Sequence, residues 1–209
     1  MPQKAYLSKS KLMSGWQCGK RLWLEKNAPE LLKYSPSTEA AFAVGHRVGE
    51  AAQSLFPDGI LIGHDQELRE ALRETQQLLE KPGPVTLFEA TFKADGVLIR
   101  ADILIRDAPN RIHLIEVKAA TKLKDYYLVD CAIQLWVLEQ LGLPVDRLEL
   151  AHINNQFVYE AEGDYRGLLS YVDVLAEALE LQEDVEALIE EMRDVLSGDE
   201  PEILMGPQC

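Results

Sequence analysis

The apolar positions of the chain change period twice. Between residues 8 and 27, Leu12, Trp16, Leu22 and Trp23 recur among lysines, with Gly15 and Gly19 as interruptions, which predicts two short helices. Ser35-Pro36-Ser37 has the composition of a helix start, and Ala41, Val44, Val48, Ala52 and Leu55 follow at helical spacing until Pro57-Asp58-Gly59. A third helix is expected from Asp65 to Pro82-Gly83-Pro84, with Leu68, Leu72, Thr75 and Leu79 on one face. The period then falls to two. Residues 85–92, 97–106 and 112–118 read as strands, the last two a hairpin across Asp107-Ala108-Pro109-Asn110. Helical spacing returns from a capping Asp125 to about Leu141, closed by Gly142-Leu143-Pro144. Residues 148–153 and 157–159, either side of Asn154-Asn155-Gln156, read as a further strand pair. A long acidic amphipathic helix is expected over residues 168–196 on Val174, Ala178, Leu181, Val185, Leu188, Met192 and Val195. The order predicts a mixed α/β (α+β) layout: a helical part (1–60), a sheet core (85–160) and the acidic helix.

Composition narrows the class. With 209 residues, 47% hydrophobic and 27% charged, the chain is sized for one globular domain spanning 1–209. No apolar stretch approaches the roughly 20 residues of a membrane helix, and Met1-Pro2-Gln3-Lys4-Ala5-Tyr6 lacks a signal-peptide core. A cytoplasmic location without a membrane partner is expected. Cys18, Cys131 and Cys209 are odd in number and widely spaced, against a disulfide framework. The net charge of −14 argues at face value against a polyanionic partner. Its distribution reverses that inference. Residues 173–202 hold twelve acidic side chains and one arginine, −11, whereas the first 35 residues hold seven basic and two acidic ones, +5.

One constellation carries chemistry. In the second strand Val97, Ile99, Ala101, Ile103 and Ile105 are expected on one apolar face, with Arg100, Asp102 and Arg106 on the other. In the third, Glu116 and Lys118 are two apart and share a face. If Asp107 pairs with Arg111 around a three-residue turn, opposed residue numbers sum to 218 and Asp102 faces Glu116. Two facing carboxylates repel unless a cation lies between them, and oxygen ligands of this type suit Mg²⁺ or Mn²⁺. A lysine beside them can stabilise charge on a phosphate or orient an attacking water. The same three residues also read as a cross-strand ion-pair cluster without chemistry. His46, within Gly45-His46-Arg47-Val48-Gly49, is off the apolar stripe of its helix; it reads as an exposed histidine or as a ligand. Gln134 is a lone amide in the apolar run from Cys131 to Trp136, and Glu89 is a candidate third carboxylate from the first strand.

Taken together, His46, Ala101-Asp102-Ile103-Leu104, Ile115-Glu116-Val117-Lys118 and the later Gln134 resemble, in order and spacing, the PD-(D/E)XK nuclease superfamily in its RecB-like branch. The resemblance implies a restriction-endonuclease-like core. It implies His46, Asp102, Glu116 and the carbonyl of Val117 as ligands of a divalent metal, Lys118 as catalyst and Gln134 as support. The tyrosine of the family's Q-x-x-x-Y helix is Leu138 here. The implied function is a metal-dependent deoxyribonuclease acting as an exonuclease on single-stranded DNA ends. The alternative is an inactive nucleic-acid-binding or assembly module of the same fold. The basic N-terminal arm, with Lys20 and Arg21, is then the DNA-facing surface, the acidic helix turned away, and Lys122 and Lys124 are further DNA contacts.

Trp16-Gln17-Cys18-Gly19-Lys20-Arg21-Leu22 also resembles the C-P-x-R-x-x-L segment of iron–sulfur members of that branch, in which four cysteines hold a 4Fe–4S cluster. Cys18 and Cys209 are the two candidate ligands. A chain that stops on a candidate ligand reads as a piece of a longer protein, with a further domain or a helicase partner, or as one that has lost its cluster.

Overall fold

The computed structural model describes residues 7–63, 67–108, 111–203 and 209. The chain begins with strand β1 (Leu7–Ser8) and helices α1 (Lys9–Gln17) and α2 (Gly19–Asn27), followed by a 3-10 turn at Pro29–Leu31. Helix α3 (Pro36–Ser54), strand β2 (Ile60–Leu61) and helix α4 (Leu68–Glu80) lead into the meander β3 (Val85–Ala94), β4 (Val97–Ala108) and β5 (Arg111–Lys118). Helix α5 (Asp125–Gln140), strands β6 (Val145–Ile153) and β7 (Leu169–Asp173), and helices α6 (Leu175–Glu180) and α7 (Gln182–Ser197) complete it.

The strands form one mixed sheet in the order β2-β3-β4-β5-β6-β7, with β1 parallel to the start of β4. Helices α1, α4, α5 and α7 cover one face through a core that includes Leu12, Leu104, Leu114, Ile133 and Ile189. On the other face α3 sets Val48 and Ala52 against Phe88, Ile103, Ile115 and Ala151. The expected mixed α/β architecture, a central mixed sheet flanked by helices, is what the chain adopts.

Local chemistry explains the helix starts. Ser8 accepts a hydrogen bond from the Lys11 amide at 3.3 Å, and Ser35 accepts one from Thr38 at 3.2 Å, with Pro36 preset for the first turn. Residue 125 is not a cap. Lys124 occupies that position, and Asp125 sits in the first turn, where its charge favours the helix dipole. Gly15 lies inside α1 rather than ending it; the break falls at the extended Cys18.

The register of β4 and β5 sums to 218 from Ile103↔Ile115 to Arg106↔Ile112, as expected, but for a different reason. Ala108 pairs with Arg111, and a bulge between Arg106 and Ala108 supplies the extra residue. The single apolar face expected for β4 does not exist. Val97, Ile99, Ala101 and Leu104 join the larger core, while Ile103 joins the smaller one. Glu89, with φ of 55°, interrupts the ladder between Phe88↔Ile103 and Ala90↔Ala101, and the alternation resumes out of phase on both strands.

Two expectations for the C-terminal third fail. Residues 157–159 form no strand; the partner of β6 is β7, at the start of the expected long helix. Alternating Leu169, Tyr171 and Ser170, Val172 give that segment a strand period before Val174 opens the helical one. The helix itself is two, meeting at Leu181, and its stripe of Ala178, Val185 and Met192 is buried in the protein's own core. On α3 the expected stripe holds only from Val48 onward. Val44 and Phe42 are exposed, so the first half of this helix stands clear of the sheet.

Strand β2 covers β3 only at Leu87 and Phe88. Farther along, the Thr91 amide donates to the buried Thr75 hydroxyl of α4 at 3.0 Å. Thr75→Val keeps the shape but orphans that buried N–H, and is expected to destabilise the protein by about 1–3 kcal/mol in urea unfolding. Unchanged stability would show that the amide finds another partner.

Candidate active site

The ladder between β4 and β5 ends at Ile103–Ile115, and beyond it β1 takes the edge of β4 at Val97 and Leu98. The site lies in this fork. Asp102 reaches across it: its Oδ2 accepts the Val117 amide at 2.7 Å. Glu116, 3% exposed, projects towards α5 and α1. Gln134 Nε2 donates to Glu116 Oε2 at 2.7 Å, and Lys118 Nζ to Oε1 at 2.6 Å. Glu116 and Lys118 thus share a face, as their spacing requires.

Two residues absent from the sequence reading complete the cluster. Lys9, the first residue of α1, donates to both oxygens of Glu116 at 3.1 and 3.0 Å. Asp130 of α5 pairs with Lys9 at 3.0 Å and with Lys118. Lys9 looked like one of a run of surface lysines. Asp130 had a readable signal: it is a charge in an apolar helix, one turn before Gln134 and on the same face.

Burial works to raise the Glu116 pKa, but Lys118 and Lys9 outweigh it and hold the carboxylate below its usual range. Burial likewise works to lower both lysines, and the facing carboxylates more than offset it, so both ammoniums stay charged. Asp102 has the opposite fate. Burial first, then the neighbouring negative charge of Glu116, pushes its carboxyl up to about 8. The Lys118 ammonium also stands 5.2 Å from the centre of the Tyr127 ring.

A pocket of about 540 Å³ opens from Asp102, Glu116 and Val117 towards α3, where His46 and Gly49 form its wall and Glu89 projects from the β3 break. His46 is exposed on that wall. The structure therefore brings Asp102, Glu116, Val117, His46 and Glu89 to one pocket, and Glu116, Lys118, Gln134, Lys9 and Asp130 to one hydrogen-bonded cluster. Among the described residues no three His, Cys, Asp or Glu side chains form a ready-made metal cage. The donor set nonetheless fits a hard divalent cation. Two carboxylates at one pocket, one of them driven towards protonation by burial and then by the charge of the other, suit an ion that takes few protein ligands and keeps its waters.

The DNA-contact candidates separate. Lys20 pairs with Glu200 at 2.7 Å, and Lys26 of the same helix donates to the Leu196 carbonyl at 2.8 Å. The basic arm and the acidic helix are not separate surfaces: α2 packs on α7, and part of the arm's charge neutralises the acidic end. Arg21, held by Glu25 at 2.8 Å, and Lys11 border the cavity beside Glu116. Lys122 and Lys124 are exposed just ahead of α5. Leu138 lies fully buried in the core. The expectation against a disulfide fails: Cys18 and Cys209, 191 residues apart in sequence, are joined as one because the fold brings the two ends of the chain together, and Cys131 is buried on α5.

No family model and no curated protein matches the chain. Among solved structures, it is similar to the "putative exonuclease" of Eubacterium rectale: 17% identity over 95% of this chain and 84% of that one, TM-score 0.49. It is also similar to the alkaline exonuclease of Laribacter hongkongensis, at 12% identity over 93% and 91%, TM-score 0.39. At these identities and scores, function rests on the chain's own residues. No helix among the described residues is long and apolar enough to cross a membrane.

Proposed function

We propose that this chain is a divalent-metal-dependent nuclease of the PD-(D/E)XK type that hydrolyses phosphodiester bonds of DNA, as an exonuclease on single-stranded ends. The observation that carries the reading is that Asp102 and Glu116 line one pocket at the strand fork, with Lys118 hydrogen-bonded to Glu116. Asp102, Glu116, the Val117 carbonyl and His46 would hold Mg²⁺ or Mn²⁺. The bound ion supplies a polarised phosphate oxygen and a water acidic enough to attack. Lys118 keeps its proton at Nζ and offers positive charge where negative charge develops on the phosphorane-like transition state. Gln134 fixes the Glu116 carboxylate, and the Val117 amide fixes Asp102. Lys9 and Asp130 position Lys118: the aspartate holds one ammonium on each oxygen.

End-labelled single-stranded DNA is expected to be degraded by the purified protein with Mn²⁺ or Mg²⁺, not in EDTA, and at least about 10²-fold more slowly by Lys118→Ala. Cleavage that persists in EDTA, or that Lys118→Ala leaves at the wild-type rate, would sink the assignment. A second reading, an inactive nucleic-acid-binding module, is favoured by the saturation of Glu116, whose oxygens already accept from Lys9, Lys118 and Gln134. Calorimetry with Mn²⁺ separates the two, since the module would show no site that depends on Asp102. In a longer protein, with the Cys18–Cys209 disulfide reduced, the two thiolates would supply two of the four ligands of a 4Fe–4S cluster; iron analysis of that protein tests this.

A further inference from the structure

A cavity of about 1010 Å³ runs from Glu116 and Lys118 along α1, the 31–35 loop, the free half of α3 and the start of α5. Four aromatic side chains border it and remain open to solvent: Trp16 (48%), Tyr34 (48%), Phe42 (51%) and Tyr126 (38%). Large apolar groups gathered around one cavity, outside the core, mark a binding surface. Three of these rings are also held in place. Phe42 meets Tyr34 edge-on at 5.2 Å, and Tyr126 leans edge-on against the buried Tyr127 at 4.5 Å. Positive charge is interleaved with them. Lys11 and Arg21 share the wall, and the Lys124 ammonium stands 5.5 Å from the centre of the Tyr126 ring.

Flat rings with cations among them suit a chain that carries both flat bases and phosphates. We propose that this groove is a base-stacking channel for one strand of nucleic acid, which lays a phosphate beside Glu116 and Lys118. The proposal rests on the nuclease reading for which phosphate reacts. Because a duplex keeps its bases stacked on each other and offers no free face to a ring, the channel selects single strands without reading sequence.

The test measures binding in EDTA, so that nothing is cleaved. A labelled oligothymidylate of about ten nucleotides is compared with an abasic sugar–phosphate strand of equal length. The wild-type protein is expected to bind the thymidylate at least about tenfold more tightly, with quenching of Trp16 fluorescence. Trp16→Ala/Phe42→Ala, whose sites are exposed and whose fold is checked by circular dichroism, is expected to bind both strands equally at the weaker affinity. Equal binding of the two strands by the wild type overturns the channel, yet leaves the nuclease reading standing if Mn²⁺ still supports cleavage. Binding of neither strand also overturns it and leaves an apolar peptide as the occupant. Base-dependent binding without any cleavage supports the channel and removes the nuclease.

Discussion

Glu116→Ala will melt about 6–12 °C below the wild-type protein at neutral pH and cleave no DNA. The stability loss follows from what is left behind. Glu116 is nearly fully buried and receives hydrogen bonds from Lys9, Lys118 and Gln134; its removal strands two ammoniums and an amide. Breaking a buried ion pair from one side costs about 3–5 kcal/mol. Asp130 still pairs with both lysines, and their side chains are 19% and 17% exposed, which places the loss near the lower end, about 3 kcal/mol. The pH dependence has a definite sign. The folded-state pKa of Glu116 lies below its unfolded value, so this contribution is complete above the ordinary carboxylate range and disappears as pH falls through the folded value. Wild type and variant should therefore converge in strong acid. Equal melting at neutral pH would mean that the cluster does not form.

Asp102→Asn is expected to move stability and activity in opposite directions. The asparagine oxygen can still accept the Val117 amide, so the geometry survives. What disappears is a buried negative charge beside Glu116. Because the folded state raises the Asp102 pKa to about 8, the metal-free wild type loses stability as pH rises from about 4 towards 8, and the variant does not. At pH 8 without metal, Asp102→Asn should be more stable by about 1–3 kcal/mol in urea unfolding. Saturating Mn²⁺ should close the gap by stabilising the folded wild type alone. Cleavage should fall by at least about 10²–10³-fold. A variant as unstable as wild type at pH 8 and as active with Mn²⁺ would remove Asp102 from the site.

The sheet's central hairpin was legible because register depends on residue count: the sum of 218 holds although the extra residue sits in a bulge and not in the turn. The break at Glu89 was not legible. A left-handed glutamate in a run of strand-forming residues carries no local signature, and it shifts Ile103 to the opposite face from Ala101. The strand at residues 169–173 is hidden in the sequence for a related reason. Their pairing with β6 is a long-range demand, whereas the helical stripe that begins at Val174 is local and strong. At the site, Asp102, Glu116, Lys118 and Gln134 stood out as polar interruptions of apolar periods. Lys9 could not stand out, because among Ser8, Ser10 and Lys11 a lysine interrupts nothing; only the parallel pairing of Leu7 with Val97 brings it inward.

That pairing also governs the order in which the site can come into being. Lys9 and Glu116 are separated by 107 residues, and Lys9 leaves the ribosome long before its partner is translated. Closing so long a loop is entropically unfavourable until the β3–β4–β5 meander and α5, which form from near neighbours, present an assembled surface. The Glu116 cluster therefore belongs to the late events of folding. Nascent chains short of β5 hold a bare basic helix with no acidic cradle to receive it.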